Sequence, residues 1–421
     1  MTREKTRTDP LTACVRCGKC LAACPLYRVD PSEPLSPRGR TALAESLIDG
    51  SARPTDRAGE ILYRCLLCGA CATACPRGTP TVGMMAAARE LLARRGHVKP
   101  IARLAMATAA SPRVRGGLLT GMRAFRRLLF SRLPNESGLR LRFAGRMVGI
   151  PDRILPVIPD RSLLEESGAE KPREVPGETV AIFTGCMVNH LLPDIGRATA
   201  ELVRRAGMTP YFPAGQGCCG MMFWGEGETT SARRLAETNA RLLIASPFSR
   251  LVVPCASCRF ALTTLYPEFL ADDPPLAAAW QRLLPKITTL SAFAVESGAA
   301  MTPVTPGITV TWHDPCHLGA TREPRELIRS IPGVTLREMA HPDRCCGSGG
   351  LFTVLNPALS GAVGDAKVDD ILATGADAVV TECPGCMLQI KERLARKGSA
   401  IPVLHPAELA VSGVKSKAAR P

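Results

Sequence analysis

Eight cysteines in two identical runs constrain this chain more than any other feature. The runs are Cys14-x-x-Cys17-x-x-Cys20-x-x-x-Cys24-Pro25 and Cys65-x-x-Cys68-x-x-Cys71-x-x-x-Cys75-Pro76. Each has the spacing that holds a [4Fe–4S] cubane. Three thiolates two residues apart wrap one loop around three irons of a cube, and the fourth iron takes a ligand from elsewhere. A lone C-x-x-C pair can be half a zinc site, but two identical four-cysteine runs, each closed by proline, are hard to derive from zinc. Disulfides need an oxidising compartment, and the N-terminal residues Met1-Thr2-Arg3-Glu4-Lys5 begin no apolar secretion segment. A chain with two cubanes moves electrons.

In two-cluster ferredoxins the fourth cysteine of each run serves the other cluster. Carried over, one cluster takes Cys14, Cys17, Cys20 and Cys75, and the other takes Cys65, Cys68, Cys71 and Cys24. The crossing would bring the clusters within tunnelling reach. Between the runs, Ser36 fits a helix N-cap, Pro37 the first helical position and Gly50 the stop. This helical insert favours a helical ferredoxin domain, as in the electron-carrying subunits of succinate dehydrogenases. A second helix is expected from about Val82 to Arg95, ending at Gly96.

The length, 421 residues, predicts two to four domains. All eighteen cysteines fall into groups with metal-ligand spacing, the pattern of a reducing cytosol. The net charge of +15 points to an anionic lipid surface, an acidic protein or nucleic acid. With aromatics at 4% and no recognition motif, nucleic acid is set aside. Residues 101–153 hold eleven arginines against Glu136 and Asp152. Within them Leu118, Met122, Phe125, Leu129 and Leu133 recur at helical spacing among Arg123, Arg126, Arg127 and Arg132. Such a basic amphipathic helix can lie peripherally on the inner face of a cell membrane; the alternative is a connector packed on the next domain. Residues 154–178, rich in Pro and Glu, read as a linker. No stretch of about 18 uncharged apolar residues occurs, so no membrane span is expected and the protein reads as cytoplasmic.

The remainder is an internal duplication. Cys186 is answered by Cys316, Cys218-Cys219-Gly220 by Cys345-Cys346-Gly347, and Cys255-x-x-Cys258 by Cys383-x-x-Cys386, at offsets of 130, 127 and 128 residues. Short apolar runs, Thr179–Phe183, Leu251–Val253, Ile308–Trp312 and Ala378–Val380, end just before these cysteines. Helical stretches such as Asp194–Arg205 and Ser231–Ile244 alternate with them, which predicts α/β units with parallel sheets. Their sites are then expected at strand C-terminal ends.

Each repeat therefore gathers five cysteines at one sheet edge. Adjacent cysteines do not easily share one tetrahedral ion, and a closed zinc site needs only four ligands. Five thiolates suit a larger iron–sulfur assembly, with Gly220 and Gly347 letting the backbone approach it. Structural zinc, a buried reduced cysteine cluster and a redox-active Cys–Cys pair are the alternatives. His313 and His317 flank Cys316, and His190 follows Cys186; outer hydrogen-bonding or surface roles are expected for them. His97 and His405 show no role, and no phosphate loop or flavin fingerprint stands out.

Two ferredoxin runs, the Pro37-Arg38-Gly39-Arg40 helix start and two C…CCG…CxxC repeats together resemble the glycolate oxidase iron–sulfur subunit family. Its relatives serve lactate- and glycerol-3-phosphate-oxidising complexes. More distantly the chain is similar to heterodisulfide reductase, which also joins a ferredoxin part to a CCG part. The resemblance covers about residues 10–100 and 178–410. It implies a separate FAD-containing dehydrogenase subunit that removes hydride from a 2-hydroxy acid such as glycolate or lactate. This chain would pass the electrons singly toward quinone or another redox protein, with no catalytic residue of its own. Both five-cysteine sets are complete here, as in heterodisulfide reductase, whose CCG repeats hold noncubane clusters. That implies one or two further clusters and, as the rival function, disulfide reduction at them. A third reading is an iron–sulfur sensor or assembly protein.

The expected organisation is a helical ferredoxin domain over residues 1–100 and a basic connector and linker over 101–178. A first CCG repeat follows over 179–300, and a second with the C-terminal tail over 301–421.

Overall fold

The computed structural model describes residues 14–111, 161–167 and 178–412, with a few isolated positions and short strands between 114 and 159. The N-terminal part is helical. Helix Pro37–Ile48 starts where Ser36 Oγ accepts from the Gly39 N–H at 2.9 Å, with Pro37 supplying a preset φ at the first helical position. It packs on helix Thr81–Arg94, and Ala44, Leu47, Leu62, Ala88 and Leu92 fill the seam. Helix Pro100–Ala110 adds Ala102 and Met106 to the same core, so packing of the ferredoxin part continues past residue 100.

Strands β1 (Phe130–Arg132), β2 (Leu139–Leu141) and β3 (Ile154–Leu155) form a small antiparallel sheet. Most of the expected amphipathic helix Leu118–Leu133 lies outside the described residues. Its end, however, is strand β1 rather than helix, because Phe130 to Arg132 pair with Leu141 to Leu139. Within the expected linker, Leu163–Glu166 forms a helical turn closed by a Ser162–Glu165 capping box.

The first repeat comprises β4 (Thr179–Ile182), β5 (Thr209–Tyr211), β6 (Arg250–Val253) and β7 (Ile287–Thr289). The second comprises β8 (Ile308–Trp312), β9 (Val334–Leu336), β10 (Ala378–Val380) and β11 (Val403–Leu404). The sheets run β5–β4–β6–β7 and β9–β8–β10–β11, with all pairings parallel. Numbered within each repeat, both have the order 2-1-3-4. The chain therefore reverses direction across the sheet between strands 1 and 3, which opens a crevice beyond their carboxyl ends. The central strands are buried on both faces, as continuous apolar runs require.

Side-chain alternation along β4 joins two cores. Ala181 and Phe183 enter the core shared with the N-terminal helices, while Val180 and Ile182 enter the core shared with Val310, Trp312 and Val379 of the second repeat. The first repeat is thus sandwiched between the N-terminal helices and the second repeat. Among the described residues, no helix is long and apolar enough to cross a membrane.

Candidate iron–sulfur sites

Both N-terminal runs adopt one turn. Arg16 and Leu67, the third residues of their runs, are left-handed (φ 57° and 53°), as are Gly18 and Gly69 (82° and 76°). Alternating hand curls successive N–H groups toward one concave side, a geometry suited to anionic sulfur. The Arg16 N–H reaches Cys14 Sγ at 3.4 Å. Non-glycine residues adopt this hand only at a cost of about 1–3 kcal/mol, sustained where the surroundings demand it.

The thiols form two groups. Cys20 is grouped with Cys14, Cys17 and Cys75, and burial pushes its pKa up. Cys71 faces Cys65, Cys68 and Cys24, and burial pushes it up to about 12. Cys17 is exposed, whereas Cys24 is buried, so the first group lies nearer the surface. A pocket opens at the second, lined by Cys24, Cys65, Cys68, Cys71 and Arg40. Arg40 is 3% exposed; its Nη2 donates to Cys24 Sγ at 3.2 Å and its Nη1 to the Arg64 carbonyl at 2.9 Å. A buried cation bonded to one thiolate and facing others offsets the charge of a sulfur-ligated centre. These donor sets, with inward N–H groups, fit cubanes.

In each repeat one cysteine follows strand 1, the adjacent pair follows strand 2 and the C-x-x-C pair follows strand 3. Cys186 contacts Cys218, which contacts Cys219, then Cys258, then Cys255. The second repeat copies the order: Cys316, Cys345, Cys346, Cys386, Cys383. Two further contacts join the pieces. Cys255 meets Cys383, linking the repeats. Cys68 meets Cys345, linking the ferredoxin part to the second repeat. Hydrogen bonding to Cys345 and burial together hold the Cys68 thiol well above its ordinary pKa.

Both CCG glycines are left-handed, φ 86° at Gly220 and 83° at Gly347. A Cβ on them would lie 3.1 Å from the Ala232 carbonyl and 2.6 Å from that of Ser360. Their absent side chains thus admit the following helix. Gly185 does lie against sulfur: a Cβ on it would lie 2.9 Å from Cys258 Sγ.

The histidines divide. His190 bonds the Asn189 amide at 3.2 Å, and His97 pairs with Asp56 at 2.8 Å. His405 is buried and caps helix Pro406–Ser412, its Nδ1 accepting from the Ala407 N–H at 3.2 Å. His317 sits at the junction of three parts. It bonds Ser257 Oγ at 3.0 Å, stacks on Phe260 of the first repeat and approaches the Leu67 backbone. His313 is wholly buried beside Cys346 and Cys386. Sequence reading left Arg40 without a role; its place in the helix start was visible, but its burial against Cys24 comes from tertiary packing.

The fold and these thiol groups define an iron–sulfur electron-transfer protein of the oxidoreductase class. The family model for a 4Fe-4S dicluster domain matches residues 10–79, and that for a cysteine-rich (CCG) domain matches 180–263 and 310–391. The chain is 29% identical to a "probable glycolate oxidase iron-sulfur subunit" of Bacillus subtilis (strain 168), over 99% of this chain and 96% of that one. It is 32% identical to lactate utilization protein A of Bacillus cytotoxicus, over 55% of this chain and 97% of the relative. It is 28% identical to a fumarate reductase (CoM/CoB) subunit of Methanothermobacter marburgensis, over 93% of this chain and 70% of the relative. The chain belongs to the glycolate oxidase iron–sulfur subunit family, within the CCG superfamily.

Proposed function

We propose that this chain is the electron-carrying subunit of a flavin-dependent 2-hydroxy-acid dehydrogenase acting on glycolate or lactate. A partner flavoprotein takes hydride from the substrate, and this chain carries the electrons singly toward quinone or another redox acceptor. In this reading Cys14, Cys17, Cys20 and Cys75 hold one cubane and Cys24, Cys65, Cys68 and Cys71 the other. The sets Cys186, Cys218, Cys219, Cys255, Cys258 and Cys316, Cys345, Cys346, Cys383, Cys386 hold further iron–sulfur centres. When bound, these centres supply one-electron carriage. The protein's part is to fix them in sequence, shield the inner ones from water and offset their charge.

The observation that carries this reading is the continuity of the thiols. Cys68 meets Cys345, and Cys383 meets Cys255, so three of the four ligand groups, the second N-terminal one and those of the two repeats, form a line rather than separate sites. Such a line suits relay; a sensor with one labile cluster does not need it. The likeness to the glycolate oxidase and lactate utilization proteins supports the substrate class.

The test is to mix the anaerobically purified chain with its flavoprotein partner and then add glycolate or L-lactate. Iron–sulfur EPR signals should appear within the turnover time of the dehydrogenase. No cluster reduction by either acid, in a chain that dithionite reduces, would overturn the assignment. The complete five-cysteine sets and the likeness to the fumarate reductase (CoM/CoB) protein favour disulfide reduction as the second reading. Disulfide cleavage by the dithionite-reduced chain alone would establish it.

A further inference from the structure

The two repeats share a topology, but the imidazole of His313 has no counterpart in the first. At the 130-residue offset of Cys186 and Cys316, position 313 corresponds to Phe183. Both rings are 0% exposed at the carboxyl end of strand 1. A phenyl group evidently satisfies the packing there, so packing does not explain a histidine.

Its hydrogen bonds narrow the choice. The His313 N–H continues the ladder to the Val380 carbonyl at 3.0 Å, fixing the ring beside β10. Nδ1 lies 3.2 Å from the Pro342 carbonyl, which can only accept, so Nδ1 carries the proton. With the Nδ1 proton on that carbonyl, a neutral ring presents its lone pair at Nε2. That Nε2 is buried and has no hydrogen-bond partner. A buried acceptor without one costs about 1–3 kcal/mol. A ring nitrogen of His313, Cys346 Sγ and Cys386 Sγ all lie within 4.8 Å of one another, and with Nδ1 held on the Pro342 carbonyl the nitrogen left for a metal is Nε2. One metal ion bonded at about 2.0–2.1 Å to nitrogen and about 2.3 Å to sulfur spans such a triangle. An imidazole whose far N–H is anchored on a backbone carbonyl is the usual arrangement of a metal-bound histidine.

We propose that His313 Nε2 is a metal ligand, binding together with Cys346 and Cys386 one metal ion of the second repeat's centre. That centre is then mixed imidazole–thiolate, and the first repeat's centre, with Phe183 in the same place, is all-thiolate. The inference rests on the reading of the second repeat as a metal centre. A neutral nitrogen and soft thiolates suit iron in a cluster or a zinc ion alike.

The experiment uses the full chain, purified anaerobically with natural or ¹⁵N-labelled histidine, and compares it with His313→Phe, His313→Gln and His317→Gln. Phe is the residue the first repeat already uses, and unchanged cubane EPR signals verify folding; His313→Gln serves if the phenyl variant misfolds. For an iron centre, pulsed EPR of the reduced protein should show a strongly coupled nitrogen that changes with the label. This coupling should vanish in the His313 variants and persist in His317→Gln. For a zinc centre, X-ray absorption at the zinc edge should show one nitrogen among sulfurs, replaced by an all-sulfur or emptied site in the His313 variants. Either result supports the proposal. Metal in the second repeat with sulfur ligands only would overturn the imidazole ligand and leave the wider reading standing. About eight irons, as two cubanes alone require, and no other metal would overturn both.

Discussion

The first and second repeats fold alike and are used differently. The first grips the ferredoxin part mechanically. Arg89, 3% exposed, donates to the Gly225 carbonyl of the first repeat at 2.5 Å while also binding Leu62 and Cys65 carbonyls at 2.8 and 2.6 Å. Tyr63 Oη reaches the Glu226 carbonyl at 3.0 Å, and Thr229 Oγ1 meets Glu90 at 3.0 Å. The second repeat touches the same part with few polar bonds but with sulfur: Cys345 meets Cys68, and a small apolar cluster gathers Cys24, Leu26, Leu66, Phe352 and Val363 around them. The residues near the two CCG sites diverge as well. Helix position 239 is asparagine, bonded to the Gly217 N–H and the Cys218 carbonyl. At the 128-residue offset that relates Ala232 to Ser360, its counterpart is Lys367, a buried ammonium on the His341 carbonyl. Duplication supplied two equivalent crevices; docking one N-terminal unit across them made one the anchor and the other the contact.

The largest effect should come from cutting that contact. Cys68→Ser is expected to remove about four irons per chain and to slow reduction of the second repeat's centre by the flavoprotein. Cys186→Ser, in the first repeat, should leave that reduction intact. Iron analysis with freeze-quench EPR reads both, and equal behaviour of the two variants would erase the distinction between the repeats. Next is Gly227→Ala. Gly227 is left-handed (φ 82°), and a Cβ there would lie 2.3 Å from the Arg89 carbonyl. Backbone must move, at a cost of several kcal/mol, whereas Gly215→Ala, left-handed but in open space, should cost about 1 kcal/mol. Denaturant unfolding under argon should separate the pair.

Arg89→Ala leaves one buried and two part-buried carbonyls without their charged donor and should destabilise by roughly 3 kcal/mol. From the second repeat, Asn356 Nδ2 gives the Tyr63 carbonyl one 3.3 Å bond, so Asn356→Ala should cost about 1 kcal/mol. If the two cost the same, anchoring is not concentrated in the first repeat. The finest probe is Arg40→Gln, which removes a cation from beside Cys24, Cys65 and Cys71. Less positive charge near a cluster lowers its reduction potential. A redox titration followed by EPR should show one cubane moving negative by roughly tens of millivolts and the other unchanged.

Much of this was legible in the sequence because it is local or periodic. Ser36-Pro37 marks a helix start by cap chemistry, four apolar runs mark the central strands, and the 127–130 offsets mark a duplicated fold whose crevices must hold the cysteines. What escaped depends on surfaces meeting. Nothing in the spacing of Leu66 or Phe352 tells which repeat faces the second cysteine run. The helical periodicity read through Leu133 ran into residues that pair as β1 and β2; Pro134, Asn135 and Gly138 lie between those strands in the sequence, and such residues favour turns. Gly220 and Gly347 read as positions where the backbone approaches a cluster, whereas in the structure they make room for the helix carbonyls of Ala232 and Ser360.

The line of touching thiols has a consequence for how the protein is made. Thiolates attack neighbouring oxidised sulfurs readily when access allows, and here neighbouring thiols run from Cys186 to Cys345, which in turn meets both Cys316 and Cys68. A newly folded chain that meets oxygen before metal can cross-link along that line, and a Cys255–Cys383 bond would staple its halves together. Maturation is therefore a race between metallation and oxidation, and the order of arrival decides whether the chain becomes a conductor or a knot of disulfides.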